Sequence, residues 1–362
     1  MKKGLFFFIG LLSFTLFSQS EAPYFLTLSA KGGVLMAHRP HMAHLVQKNA
    51  YGFEVSISKQ QTEKSLESFR GKKPLNGLTF EYRNFGNDAV LGNAFSIIQY
   101  QDFPLLQSKN KWFVDFKMGA GIGYLTKFYH KELNPTNNAI GSNFNAKVSY
   151  KLELAKYFKR IHFGLGMELS HFSNGSMQTP NLGLNNLSAY FNIGYNFLER
   201  ELHNKTESFI TTMELLSSYF LIEGIVTVAE VPPLPLEAKK YPVFAGRFSW
   251  IKPLGKTWNY ELALDLVYNV SNLHRYYDSS YAPIHVPQIG GYLGMSFNYY
   301  KSQIVFGVGY YFINKINPLG HFYDRIGYRY HFNDKWCGLF NIRANFGRAD
   351  FFEFGVGYKF ER

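Results

Sequence analysis

His171, Ser173 and Asn185 are the residues of this chain whose types and spacing could do chemistry. A serine within reach of a histidine that a third group orients is the recurrent arrangement for nucleophilic acyl transfer. The imidazole can take the serine proton because its reference pKa lies near neutral pH. Residues two apart on a strand share a face. Ile161, Phe163, Leu165, Met167 and Leu169 make an apolar phase that His171 and Ser173 continue, while His162, Gly164, Gly166, Glu168 and Ser170 make the other. After a loop, Leu187, Ala189, Phe191, Ile193, Tyr195 and Phe197 form the apolar phase of a second strand, and Asn185 is in step with them. Three polar side chains therefore converge on one hairpin face that is otherwise apolar. The bland alternative is that His171 and Ser173 cap a strand at a membrane boundary, where alternation ends in any case.

The elements that must position these residues are strands. Val114, Phe116, Met118, Ala120, Ile122 and Tyr124 alternate with Asp115, Lys117 and three glycines, and Phe352, Phe354, Val356, Tyr358 and Phe360 alternate in the same way near the end of the sequence. An aromatic content of 18% and 32 glycines in 362 residues suit a transmembrane barrel with aromatic girdles. After Phe17 no stretch approaches the roughly 20 consecutive apolar residues of a spanning helix. The fold class expected is all-β, an antiparallel transmembrane β-barrel of about 16 strands, either as one large barrel or as two tandem barrels of about eight. Short turns near residues 109–111, 159–160, 255–257, 299–301 and 333–335 should face the periplasm, and longer loops, among them 37–50, 128–143 and 173–185, the outside. Lys2 and Lys3 followed by apolar residues to Phe17 read as a secretory signal over residues 1–20. The polar stretch from Leu198 to Thr206 divides the remainder into halves, 21–198 with the His-x-Ser site and 207–362 without it. The single cysteine, Cys337, excludes an internal disulfide.

The segment His171-Phe-Ser-Asn-Gly175, followed by Pro180-Asn181-Leu-Gly183, resembles the lipid A 3-O-deacylase, or acyloxyacyl hydrolase, family of outer-membrane barrels. In that family a His-x-Ser-Asn motif, a Pro-Asn-x-Gly loop and a downstream acid form a Ser-His-Glu site facing the outer leaflet. The resemblance implies that His171 is the base and Ser173 the nucleophile, and that Asn174, Gly175 and Asn181 lie in the loop that forms the oxyanion hole. The acid position falls on Asn185. A glutamate there would both hold the imidazole tautomer and stabilise imidazolium, whereas an asparagine offers orientation alone.

The resemblance implies an esterase of the Gram-negative outer membrane that removes an ester-linked acyl chain from lipid A, with lipopolysaccharide as its partner and no cofactor. The net charge of +12 suits phosphate groups, and export makes nucleic acid a poor candidate for them. The competing reading is a non-enzymatic channel or structural barrel with a degenerate site. His38, His41 and His44 lack a recognisable metal-ligand spacing, so no metal is expected. Gly119-Ala-Gly-Ile-Gly123 lies within a strand pattern with no helix after it, unlike a phosphate loop. Pro232-Pro-Leu-Pro235 reads as an extended loop.

Overall fold

The computed structural model describes residues 23–61, 73–202, 217–230, 239–255, 257–274, 281–299, 301–316, 319–346 and 348–361. The signal segment and the Pro232–Pro235 loop lie outside the described residues. Sixteen strands follow one another in antiparallel order and close into two separate barrels of eight. The first barrel uses β1 (Tyr24–Met36), β2 (Ala50–Gln60), β3 (Leu75–Asn84), β4 (Asn93–Gln107), β5 (Trp112–Leu125), β6 (Phe144–Tyr157), β7 (Ile161–Ser173) and β8 (Leu184–Asn196). The second uses β9 (Tyr219–Glu230), β10 (Lys240–Leu254), β11 (Trp258–Asn269), β12 (Pro287–Tyr299), β13 (Ser302–Asn314), β14 (Phe322–His331), β15 (Trp336–Asn345) and β16 (Arg348–Glu361). Of the two arrangements the sequence allows, the tandem one forms, because β8 turns back to pair with β1, from Phe25 opposite Asn196 to Met36 opposite Asn185. The second barrel closes in the same way between β9 and β16. Closure matters in lipid, where an unpaired backbone edge would find no water to satisfy it.

Alternation sorts every strand into two faces. Leu28, Phe53, Val55, Phe80, Ile97, Leu154, Leu165 and Phe191 stand on the outside of the first barrel, and Val226, Phe244, Phe248, Val308, Phe312 and Val356 on that of the second. A soluble protein would not leave so continuous an apolar surface in water; in a membrane it faces hydrocarbon. At the long-loop end of the first barrel the rings of Tyr51, Tyr82 and Phe95 sit side by side on neighbouring strands, and Tyr124 meets Phe144 with centroids 5.3 Å apart. At the short-turn end of the second, Trp336 packs on Tyr358 at 4.9 Å. Aromatic clusters at strand ends are what a membrane interface favours.

Both lumens are filled by paired charges. In the first, the Lys31 ammonium is bound by Glu54, by Glu81 at 2.7 Å and by Glu168 at 2.6 Å, and Arg83 reaches Glu81 and Glu168 at 2.8 and 2.6 Å. Lys117 holds Glu153, which also accepts from Tyr190 at 2.9 Å and Asn192 at 2.7 Å. In the second, Arg325 bridges Asp265 and Glu353 at 3.0 and 2.8 Å, and Arg329 pairs with Glu223 and Glu261. Cys337 packs inward with Tyr219, Leu221 and Ile251. A cavity of about 30 Å³ in the first lumen has room for a water or two. A single wide pore, the arrangement that would favour a channel, does not form.

The junction after β8 is part of the first barrel and not a bare connector. Arg200 turns back into the lumen, donates to both oxygens of Asp115 at 2.7 and 3.1 Å, and stacks on Phe113 and Tyr157. At the opposite end Leu35, Met42, Leu45, Phe85, Leu125, Ile140, Phe172 and Leu184 form an apolar cap beneath the long loops.

Candidate active site

The hairpin of β7 and β8 ends at the long-loop side of the first barrel, and its register sets the site. His171 lies directly opposite Asn185, a pairing that brings side chains on one face within about 5 Å at Cβ. The Nδ1 of His171 is 2.6 Å from Oδ1 of Asn185. On the other flank of Asn185 the barrel closure sets Met36 opposite it. His38 follows two residues later, and its Nδ1 is 3.0 Å from Nδ2 of Asn185 while its Nε2 lies 3.1 Å from the Leu182 carbonyl.

Ser173 continues the outward phase of β7, but the loop that follows folds over it and leaves it 4% exposed. Its hydroxyl donates to Asn181 Oδ1 at 3.3 Å and accepts from Asn181 Nδ2 at 2.9 Å and from the Gly175 N–H at 3.1 Å. Among the described residues no hydrogen bond joins Ser173 to His171. The two share a strand face about 6.6 Å apart along the chain. Asn174 has another use: its side-chain amide donates to Ser142 Oγ at 2.9 Å and to the Gln178 carbonyl at 2.8 Å, and its backbone N–H donates to Asn181 Oδ1 at 3.0 Å. Asn174 thus braces the loop, while Asn181 and the Gly175 N–H are the donors aimed at Ser173.

Glycines fit the loop to the histidine. Gly183 has φ of +80°, and a Cβ added there would stand 2.5 Å from Cε1 and 3.2 Å from Nε2 of His171. The imidazole therefore rests against bare backbone, which gives the glycine of Pro-Asn-x-Gly a steric reason. Gly175, with φ of +62°, meets the second barrel, where a Cβ would come 2.4 Å from the Phe352 ring. Ser176 Oγ donates to the Ala349 carbonyl at 2.9 Å, the Glu230 N–H donates to the Ser176 carbonyl at 3.3 Å, and the Glu230 carboxylate accepts from the Thr179 N–H. The rim of the second barrel thus holds the loop that covers Ser173.

Sequence reasoning missed two contributors. It considered His38 only as one of three histidines that could bind metal; in the structure His38 bonds Asn185 and Leu182, while His44 Nε2 lies 2.8 Å from the Thr136 carbonyl. The parity of Met36, His38 and Asn185 could have exposed the first role had β1 been paired with β8. The contacts of Phe352 and Glu230 with the loop had no local signal. The described residues do bring three carboxylates close enough for a metal, Glu54, Glu81 and Glu168, but Lys31 and Arg83 already neutralise them.

No curated protein matches the chain. Among solved structures, the outer membrane enzyme PagL is 14% identical, with 46% of this chain and 97% of that one covered at a TM-score of 0.32. The β domain of the Bordetella autotransporter BrkA is 9% identical, covering 94% and 99% at a TM-score of 0.24. A triple mutant of the Rhodopseudomonas blastica porin is 6% identical over the same shares at 0.17. Sequence families speak more directly. Residues 52–196 match the family described as lipid A 3-O-deacylase (PagL), and residues 213–362 match the one described as acyloxyacyl hydrolase, C-terminal domain. One match falls on each barrel, and the chain belongs to the lipid A 3-O-deacylase and acyloxyacyl hydrolase family of β-barrels in the Gram-negative outer membrane.

Proposed function

We propose that the protein is a serine esterase that hydrolyses an ester-linked acyl chain of lipid A from the outward face of the β7–β8 hairpin. The observation that carries this reading is the 2.6 Å contact of His171 Nδ1 with Asn185 Oδ1 on the strand face that also bears Ser173. An imidazole held through Nδ1 offers Nε2 as a base. Ser173 Oγ attacks the ester carbonyl as its proton passes to His171 Nε2. The developing oxyanion takes over the donors that Ser173 now occupies, Asn181 Nδ2 and the Gly175 N–H. Collapse of the tetrahedral intermediate expels the sugar alkoxide, which takes the proton from His171, and leaves an acyl-enzyme. Water, deprotonated by the same nitrogen, then releases the fatty acid and restores Ser173. Asn185 acts by orientation, in the position where the family resemblance expects an acid, and Asn174 keeps the loop closed.

The substrate reaches the site through the membrane. Leu165, Met167 and Leu169 lead up the same wall to His171 and are exposed to lipid, so an acyl chain lying along β7 would bring its ester to the strand end. The test is mass spectrometry of lipid A from cells making the native chain or Ser173→Ala. Loss of one acyl chain with the native protein only is expected; identical lipid A from the two would overturn the reading.

A further inference from the structure

We infer that His38 is a positioning residue that fixes the tautomer of His171 through Asn185, an inference that rests on the esterase reading above. The need for such a residue follows from the chemistry of an amide. Either end of an asparagine side chain can pair with an imidazole Nδ1: the oxygen accepts from a protonated Nδ1, and the NH2 donates to a bare one. Only the first arrangement leaves Nε2 unprotonated and ready to act on Ser173. A lone asparagine does not choose between them.

The choice is made by a backbone carbonyl three groups away. The Leu182 oxygen can only accept, so the His38 Nε2 at 3.1 Å carries a proton. A neutral His38 then has a bare Nδ1, which at 3.0 Å accepts from Asn185 Nδ2. With its NH2 so committed, Asn185 presents Oδ1 to His171 at 2.6 Å, and His171 Nδ1 is the protonated nitrogen. Each polarity follows from the one before it, beginning at an atom that cannot change.

His38 is held where this works. Its N–H donates to the Met36 carbonyl at 3.0 Å, and the 3-10 turn Pro40–Leu45 just beyond it buries Met42 and Leu45 in the apolar cap. A carboxylate in place of Asn185 would need no such guidance, because both of its oxygens accept. The role of His38 is therefore tied to the asparagine, and this separates it from a merely structural role in holding the loop.

The experiment uses the full chain in detergent micelles with purified lipid A, reading released fatty acid by mass spectrometry. His38→Ala should lower kcat by about tenfold, the worth of one well-made hydrogen bond, with KM unchanged. His38→Gln should recover most of this, since its side-chain oxygen can accept from Asn185. In an Asn185→Asp background, His38→Ala should cost little more. Nitrogen-15 NMR of histidine-labelled protein, which needs no turnover, should find His171 protonated at Nδ1 in the native chain and a mixture of tautomers in His38→Ala. An unchanged kcat in His38→Ala, an equal loss in both backgrounds, or an unchanged tautomer would overturn the inference. If the native chain released no fatty acid, the esterase reading would fail and the NMR result alone would decide the role of His38.

Discussion

Replacing Gly183 with alanine probes how closely the loop is fitted to His171, the base of the proposed mechanism. The added methyl would lie 2.5 Å from His171 Cε1 and 3.0 Å from the Phe172 carbonyl oxygen, where an ordinary contact begins at 3.4 Å. The ring must therefore withdraw by roughly 1 Å, and a displacement of that size in a reacting group costs on the order of 100-fold in rate. A φ of +80° adds a backbone cost of about 1–2 kcal/mol for any residue with a Cβ. That cost falls on a loop held by the Gly183 N–H bond to Ala139, and the strand ladder below should be untouched. Gly183→Ala should thus still close its barrels, judged by their heat-dependent gel mobility, and deacylate lipid A about 100 times more slowly. Gly32→Ala is the control, because a Cβ at that outward position meets nothing within 4 Å. A folded Gly183→Ala protein with native activity would refute the argument that the imbalance of space at Gly183 sets the position of His171.

Two further outcomes follow from the site and the lumen. Asn185→Glu supplies a charge able to stabilise the imidazolium, and it should raise kcat by roughly 10- to 100-fold if this position holds the third member of the triad; lower activity in the kinetic assay would count against that role. Lys31→Met leaves Glu54, Glu81 and Glu168 without the ammonium all three share. Breaking such a buried cluster costs about 3–5 kcal/mol, which denaturant unfolding in micelles should register as a lower midpoint, with unchanged acyl specificity in the surviving folded protein.

The strands were legible because lipid on one side and packed charge on the other impose a two-residue period along them, as in β5 and β16. The polar trio was legible for the same reason, since His171, Ser173 and Asn185 interrupt an apolar phase and parity alone puts them on one face. What stayed hidden depends on pairings distant in sequence. Whether β8 returns to β1 or continues to a neighbour leaves no mark on either strand, so one barrel and two read alike until Tyr195 is found opposite Leu26. The same closure brings His38 to Asn185, and the fit of Gly175 against Phe352 needs both barrels in place. Lumen residues could be recognised as polar from their phase, but which lysine meets which carboxylate follows from the stagger of eight strands at once.

The charge-packed lumens bear on what this protein does to its host's permeability. A barrel whose interior is crossed by Arg247, Arg325, Arg329 and Arg343 locked to Glu223, Glu261, Asp265 and Glu353 confronts a hydrated ion with pairs that it would have to dismantle in order to pass. If lipid is cleaved at the site proposed on the outer wall, the reaction needs no passage through either lumen, and the interior is left to hold each cylinder shut.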